Sequence, residues 1–349
     1  MQHTRFPGNG ATRLIGALLA TVAFLVAGCS TAPITDPTSS TAAPDAHLRS
    51  GPQTAQLEGP AVVPVAQDPT PVLPATAASI GGDVTVTDVS RIIPIDRSGT
   101  LANIVFSLGL GADVVARDRS TVIPEAKDLP VITDSGHSVN IESVLAADPS
   151  VVLIDESTNP PGTIDQLRAA GLTVVVFTKD RTIAGTTPLI TAVAGALGVP
   201  KEGEELAART TEQITQAENQ VLEDARGSKM AFLYLRGPRL QLLAGPGSGA
   251  DDLIAALGGV DAGTAAGLTS AFTTVNTEAM INADPAVILV MTQGAESVGG
   301  LDEVLKLPGL AQTDAGRNNR VVQMDQSEIL TFGPDTGRVL AALAKAIYV

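Results

Sequence analysis

Histidine, tyrosine and arginine occur in this chain at positions where they could bind a ligand together. His137 lies in a Ser-Gly-His-Ser segment, between a short apolar strand and a predicted helix that begins at Asn140. Tyr234 lies near the end of an apolar run, and Arg236 follows two residues later, so both side chains leave the same face of an extended chain. Imidazole can bind a metal, yet a loop histidine can equally make a surface hydrogen bond and a strand tyrosine can simply pack. The residue types alone leave both interpretations open.

The elements that must carry these side chains alternate between strand and helix. Apolar runs predict buried strands at residues 91–96, 151–155, 173–177 and 230–235. Helices are predicted at residues 98–109, 140–147, 163–170 and 182–197. Strands that alternate with helices predict a mainly parallel sheet covered on both faces. Loops at the carboxyl ends of such strands are a common place for a ligand.

An internal repeat indicates two similar lobes. Residues 140–154 and 276–290 each comprise a capping Asn, a helix, an Asp-Pro stop and an apolar strand. A stretch rich in Ala, Glu and Gln lies between them and predicts one long helix within residues 201–228. The sequence therefore predicts an α/β protein with two lobes, at residues 80–200 and 229–349, with mainly parallel sheets. One long rigid helix joins the lobes, and a cleft between them is a common place for a small-molecule site.

The first residues have the pattern of an export signal. Arg5 and Arg13 precede an apolar run over residues 14–27, which is shorter than the about 20 residues of a typical membrane span. The run ends in Leu-Val-Ala-Gly-Cys, which resembles the lipobox of bacterial lipoproteins. We expect residues 1–28 to be a signal peptide and Cys29 to carry lipid. Residues 29–79, rich in Ser, Thr, Ala and Pro, are then expected to be a disordered tether.

The composition disfavours several classes of function. The net charge of -15 disfavours a nucleic-acid partner, because phosphate backbones are also negative. With no Trp and two Tyr, recognition of sugars by stacked aromatic rings is disfavoured, and one Cys excludes an intramolecular disulfide framework. Three His are too few for an enzyme with several histidine ligands. A serine hydrolase is disfavoured: Gly-His-Ser-Val-Asn is one residue short of the nucleophile motif, and only His47, in the predicted tether, is left as a catalytic histidine.

Together, the lipobox, the two α/β lobes and the linking helix resemble the substrate-binding lipoproteins of ABC importers. The subclass with a single connecting helix takes up haem, cobalamin and ferric siderophores. Residues 95–111, 136–140, 232–236 and 245–254 are similar to the haem-binding members. The Gly-His-Ser and Tyr-Leu-Arg segments are the specific ones, since the alternation of strands and helices fits the whole subclass. The resemblance covers about residues 88–349.

The resemblance implies a binding protein, not an enzyme, that captures ferric haem and delivers it to a dimeric ABC permease with its ATPase. His137 and Tyr234 would be the axial ligands of the haem iron, and Arg236 would stabilise the tyrosinate. Glu142 and Glu278, at the same place in the two repeats, would meet arginines of the permease. The protein would be a monomer, held by its lipid at the outer face of the bacterial cytoplasmic membrane.

Two predicted helix starts are candidate sites for the haem propionates. Ser98, Gly99 and Thr100 open one helix, and Ser248 lies in a Gly-rich segment that opens another. Free N–H groups and the positive end of a helix dipole suit a carboxylate, although such residues are also ordinary helix caps. A ferric siderophore or cobalamin binder of the same fold remains the alternative function. It would not need the histidine and the tyrosine to face each other across the cleft.

Overall fold

The structure of the protein is a computed structural model that describes residues 44–221 and 226–349. A segment before the first lobe contains β1 (Gln53–Thr54). The first lobe contains β2 (Ala75–Ala77), β3 (Val84–Val86), β4 (Ile92–Ile95), α1 (Thr100–Leu108), α2 (Ile141–Ala146), β5 (Val151–Asp155), α3 (Thr163–Ala169), β6 (Val174–Phe177) and α4 (Ile183–Ala196). The connecting helix is α5 (Pro200–Asn219). The second lobe contains β7 (Lys229–Arg236), β8 (Leu240–Ala244), α6 (Ala250–Ala256), β9 (Val260–Asp261), α7 (Ala262–Ala265), β10 (Phe272–Thr274), α8 (Thr277–Ala283), β11 (Val287–Met291), α9 (Thr292–Val298), α10 (Leu301–Val304), α11 (Asp314–Asn318), β12 (Val321–Met324) and α12 (Thr336–Ile347).

The first lobe is built on a parallel sheet of β4, β5 and β6. Every residue of these three strands is buried, which explains why they are continuous apolar runs rather than alternating ones. Successive side chains point to opposite faces, so Leu153 packs in the cluster with α1 and α4, whereas Ile154 packs in the cluster with α2 and α3. The predicted strand–helix alternation is confirmed in this lobe.

The second lobe has a mixed sheet in the order β1-β12-β11-β7-β8-β10, with β9 also paired to β7. β12, β11 and β7 are parallel neighbours, whereas β8 pairs antiparallel with both β7 and β10. Parallel pairs predominate over the two lobes, as the predicted α/β class requires. The β7–β8 hairpin places Tyr234 opposite Leu242 and Arg236 opposite Leu240, at the end of β7.

A single helix, α5, joins the lobes and packs against both α4 and α12. Pro200 lies in its first turn, where the missing N–H group is not needed. Gly203 permits a close approach to α4, because a Cβ at this position would clash with Ala194. Gly337 of α12 permits a similar approach to α5, since its Cβ would clash with the backbone of Gln213. The helix ends at Asn219, before the predicted boundary at residue 228.

The folded region begins before residue 80, which differs from the predicted tether over residues 29–79. β1 pairs in parallel with β12, and Leu48 and Ala55 are buried in the core of the second lobe. Val62 and Ala77 are buried in the core of the first lobe. We call residues 48–79 the strap, because it crosses from one lobe to the other. The prediction was wrong here because single apolar residues, without periodicity, are enough to pack an extended segment onto an existing core.

Candidate functional site

His137 lies in a tight loop of the first lobe. Thr133 and Val139 form an antiparallel bridge, and the N–H of His137 donates to the carbonyl of Asp134 at 3.2 Å. Gly136 has a φ of 83°, which glycine adopts without steric cost. His137 itself has a φ of 61°, an uncommon conformation for a residue with a side chain. Such backbone conformations occur preferentially at functional sites, where the surrounding structure holds them.

A hydroxyl group contacts the imidazole of His137. The Oγ of Ser120 lies 3.0 Å from Nδ1 of His137, and it donates to the backbone carbonyl of Arg97 at 2.8 Å. Ser120 lies in a turn that the buried Asp118 stabilises, since one carboxylate oxygen accepts from the N–H and the hydroxyl of Thr121 at 2.7 and 2.9 Å. Ser120 was not among the predicted site residues, because a serine in a loop carries no local signal of a contact made with a residue 17 positions away.

The imidazole lies in cationic surroundings. Partial burial and the positive charges of Arg97, Arg119 and Arg236 lower the pKa of His137, and the negative charge of Asp96 offsets this only in part. His137 is therefore neutral at pH 7 and keeps a nitrogen lone pair that can bind a metal. Arg236 belongs to the second lobe, so the end of β7 contributes positive charge to the surroundings of His137.

Tyr234 and Arg236 form a hydrogen-bonded pair at the end of β7. Nε of Arg236 donates to the phenol oxygen of Tyr234 at 3.1 Å, and the guanidinium carbon lies 5.0 Å from the ring centroid. Nη2 of Arg236 donates to Oε1 of Gln326 at 3.2 Å, which orients the guanidinium. The ring of Tyr234 meets Phe272 edge-on, with the centroids 6.0 Å apart. The phenol oxygen of Tyr234 thus accepts a hydrogen bond from a cationic group, and a tyrosine oxygen is a known ligand of haem iron.

The start of α1 does not offer the free N–H groups that a propionate needs. The carboxylate of Asp96 accepts from the N–H groups of Thr100 and Leu101 at 3.1 and 3.2 Å, and from the hydroxyl of Ser98 at 2.6 Å. Gly99 is buried, and Thr100 donates its hydroxyl proton to the second lobe. The expectation of free donors therefore does not hold for the hydroxyl of Ser98 or the N–H of Thr100, because a carboxylate of the chain accepts from both. An Asp two residues before a Ser is a turn pattern that could have indicated this.

The second predicted propionate contact, Ser248, is also occupied from within the chain. One carboxylate oxygen of Asp251 accepts from the N–H of Gly247 at 2.7 Å, and the other lies 3.3 Å from the hydroxyl of Ser248, which donates to it. Asp251 and Asp252 place two carboxylates in the first turn of α6. These carboxylates would repel a propionate, which disfavours Ser248 as a contact, although the contact itself stays a prediction.

The two lobes also contact each other through a few polar groups. The hydroxyl of Thr100 donates to the carbonyl of Thr331, and the amide of Asn103 donates to Asp335 at 2.9 Å. The N–H of Ile183 donates to the carboxylate of Asp252. These contacts fix the relative position of the lobes close to the start of α1.

A cavity of about 270 Å³ lies at this junction. Its lining includes Leu57 of the strap, Ser120 and Glu328, but neither His137 nor Tyr234. The cavity therefore adjoins His137 through Ser120 but does not include either proposed ligand. Burial and the negative charges nearby raise the pKa of Glu328 to about 7, which makes this cavity sensitive to pH.

We expect Glu328→Gln to stabilise the protein at pH 8 but not at pH 4. The folded-state pKa of Glu328 lies above the ordinary 4.5, so the folded state binds this proton more tightly than the unfolded state does. The contribution to stability is complete below pH 4.5 and is lost as the pH rises through about 7. A glutamine mimics the protonated form, and we expect a gain of about 1 kcal/mol at pH 8, reduced by solvent screening. Urea denaturation at both pH values measures it, and a gain that does not depend on pH would contradict this assignment.

Glu142 and Glu278 are exposed in the first turns of α2 and α8. Each helix is capped by the Asn that the repeat predicts, since Asn140 accepts from Ser143 at 3.0 Å and Asn276 accepts from Ala279 at 2.8 Å. The two glutamates therefore occupy equivalent places on two similar units, one in each lobe.

Comparisons with known proteins agree with this architecture. Residues 98–328 match the periplasmic binding protein family. A structure of the heme binding protein HmuT is 37% identical, with a TM-score of 0.80, and the alignment covers 88% of this chain and 99% of that chain. The periplasmic heme-binding protein RhuT from Roseiflexus sp. RS-1 is 38% identical, with a TM-score of 0.69 and coverage of 74% and 98%.

A third similar structure is the periplasmic heme-binding protein BhuT in complex with two hemes, which is 29% identical, with a TM-score of 0.67 and coverage of 73% and 97%. Further structures of HmuT contain alanine in place of one histidine, one tyrosine or one arginine. No curated protein sequence is significantly similar to the chain. The family match covers most of the folded region, and the structural similarity agrees with it. The chain therefore belongs to the periplasmic binding protein family.

Proposed function

We propose that the protein captures ferric haem between its lobes and delivers it to an ABC permease for import. His137 from the first lobe and Tyr234 from the second are the axial ligands of the iron, and Arg236 stabilises the tyrosinate. The position of Arg236 carries the proposal, because its guanidinium donates to the phenol oxygen of Tyr234 and acts on the imidazole of His137 from the opposite lobe. One ligand from each lobe, with a guanidinium bound to the phenol oxygen of Tyr234, suits a flat metal complex held in the cleft.

The chemistry of the two ligands favours binding and delivery over turnover. A tyrosinate ligand favours ferric iron, and a neutral imidazole can complete six-coordination from the other side. The cationic groups around His137 suit the negative propionates of haem better than the two occupied helix starts do. Arg97 and Arg119 are therefore better candidates for contacts with the propionates than Ser98, Gly99, Thr100 or Ser248.

The similar structures support the same ligand. HmuT, RhuT and BhuT are all described as heme-binding proteins. The tyrosine and the arginine that were replaced in HmuT are two positions apart, as Tyr234 and Arg236 are here. The alternative, a ferric siderophore or cobalamin binder of the same fold, is not favoured by these neighbours.

Titration of the purified protein with hemin tests the proposal. We expect a shifted Soret band that saturates, together with a charge-transfer absorption of a ferric tyrosinate complex. Cyanocobalamin and a ferric siderophore, added in separate titrations, should cause no saturable change. Saturation with either of these and not with hemin would replace the proposal by the alternative function.

The docking proposal follows from the two similar units. Glu142 and Glu278 are the points at which the protein meets a dimeric permease, whose two-fold symmetry matches the repeat. Three residues after each glutamate lies an exposed apolar side chain, Leu145 at 42% exposure and Ile281 at 43%. Residues three apart lie on the same side of a helix, so each lobe presents one carboxylate beside one apolar group. A monomer that presents one such unit in each lobe suits a two-fold partner and its attached ATPase.

The location proposal concerns residues outside the described part of the chain, namely the signal peptide at 1–28 and Cys29. The protein is held at the outer face of the cytoplasmic membrane by lipid on Cys29, and two acyl chains are needed for stable attachment. Within residues 44–221 and 226–349, no helix is both long enough and apolar enough to cross a bilayer.

We expect Cys29→Ala to prevent lipid attachment, because the thiol is the only group of this type in the chain. The variant should be found uncleaved or released from the cell, as measured by fractionation and intact mass. Ser30→Ala, next to the modified position, is the control and should remain in the membrane fraction. A processed, lipidated Cys29→Ala protein would contradict the anchor.

A further inference from the structure

The hydroxyl of Ser120 has one proton and two neighbours. Its Oγ lies 2.8 Å from the backbone carbonyl oxygen of Arg97 and 3.0 Å from Nδ1 of His137. A carbonyl oxygen can only accept a hydrogen bond, whereas an imidazole nitrogen can either donate or accept. The hydroxyl proton therefore goes to the carbonyl, and Ser120 must accept its second hydrogen bond from the imidazole.

We propose that Ser120 is a positioning residue, which holds His137 as the Nδ1–H tautomer and leaves the lone pair of Nε2 free for iron. A neutral imidazole carries a single proton, so a proton held on Nδ1 by Ser120 cannot also occupy Nε2. The hydrogen bond also sets the direction of the ring, because it orients Nδ1 towards Ser120 and Nε2 to the opposite side. Outer groups of this kind tune the ligand and fix its orientation at metal sites. The binding of iron by Nε2 rests on the proposed function. The Nδ1–H tautomer, in contrast, is a property of the ligand-free protein and can be measured without haem.

Three hydrogen bonds stabilise the turn that contains Ser120. Asp118 is buried and binds both the N–H of Thr121 and the N–H of Asp96, at 2.7 and 2.8 Å. The N–H of Arg119 donates to the hydroxyl of Thr133, which pairs with Val139 at the base of the loop of His137. The donor and the acceptor of the proposed hydrogen bond are thus attached to the same framework.

Gly99 permits this arrangement. It has a φ of 75°, and a Cβ at this position would lie 2.9 Å from the backbone carbonyl oxygen of Ser120. A larger residue would push Ser120 away from the start of α1, and with it the hydroxyl that contacts His137. Gly99, which was expected as a possible propionate contact, provides space for the positioning residue.

Nitrogen-15 NMR of the ligand-free protein tests the tautomer directly. The chain has three histidines, so the signals of His137 can be assigned by their loss in His137→Ala. In the wild-type protein at pH 7 we expect a protonated-type shift at Nδ1 and an unprotonated-type shift at Nε2. Ser120→Ala should move both shifts towards an averaged or reversed pattern, and Ser120→Thr, which keeps a hydroxyl, should retain the wild-type pattern. Ser135→Ala, in the loop of His137, is the matched control and should leave the shifts unchanged.

Hemin binding supplies the second measurement. We expect Ser120→Ala to release hemin about 10-fold faster than the wild type, at the lower end of the effect of such outer groups, because Tyr234 still binds. Ser120→Thr should release it at the wild-type rate. A wild-type protein with the proton on Nε2, or a Ser120→Ala variant with unchanged shifts, would overturn the inference. If the tautomer is as expected but hemin does not bind, the proposed function fails while the positioning role of Ser120 stands.

Discussion

Replacing Tyr234 by phenylalanine is expected to remove the tyrosinate-to-iron charge-transfer absorption and to weaken hemin binding by at least about tenfold, or ~1.4 kcal/mol. The reason is that the phenol oxygen is both the proposed ligand and the acceptor of the hydrogen bond from Arg236, at 3.1 Å. Phenylalanine keeps the edge-on contact with Phe272, so the loss of hemin affinity reports the contribution of the phenol oxygen rather than that of the ring packing. Tyr234→Ala should lose the same absorption and bind more weakly still. Hemin titrations followed by absorption spectroscopy measure both.

Two companion variants separate the roles at this site. His137→Ala should perturb the Soret band and retain some binding, because the tyrosinate remains. Arg236→Ala should weaken binding mildly and reduce the charge-transfer band, since the guanidinium acts on the ligand rather than on the iron. The ligand assignment would fail if Tyr234→Phe and His137→Ala both bound hemin as the wild type does.

Reversing both docking glutamates, Glu142→Lys with Glu278→Lys, is expected to abolish haem import and to leave hemin binding unchanged. Both side chains are exposed in helices that do not contribute to the histidine–tyrosine site, so folding and binding should not be affected. Charge reversal replaces attraction to a basic partner by repulsion, which changes both the rate of association and the orientation of the bound partners. Growth on hemin as the sole iron source measures import, and a hemin titration of the purified variant measures binding.

The matched control places the same change of charge elsewhere. Glu204 and Glu212 are exposed on α5, and Glu204→Lys with Glu212→Lys alters the net charge equally. This control should import haem normally. Normal import by the variant of Glu142 and Glu278 would end the docking proposal. Loss of import in both double variants would attribute the effect to charge in general and would also contradict it.

The strands and helices could be predicted because their cause is local. A strand buried on both faces is a continuous apolar run, as in β5 and β6, and each run is bounded by turn or capping residues. The capping Asn at residues 140 and 276 could be predicted for the same reason. The resemblance, not local pattern, pointed to His137, Tyr234 and Arg236 as one site.

The features that could not be predicted from the sequence depend on contacts between residues that are distant along the chain. The carboxylate of Asp96 fills the start of α1, and Ser120 meets His137, only because the fold brings separate segments together. The strap was missed because Leu48, Ala55, Val62 and Ala77 become buried one at a time, without the periodicity that marks a helix or a strand. A sequence pattern can indicate which groups are able to cap a helix or bind a ligand. It does not indicate which other group of the folded chain forms a hydrogen bond with them.

The strap also has a mechanical consequence. The lobes are linked covalently at two points, by α5 and by the strap between Ala55 and Val62, and Arg209 of α5 donates to the carbonyl of Val63 at 2.7 Å, which keeps these links side by side. Any separation of the lobes would therefore have to stretch or release the strap as well as bend α5, and the strap adds resistance to movement that a single helix would not provide.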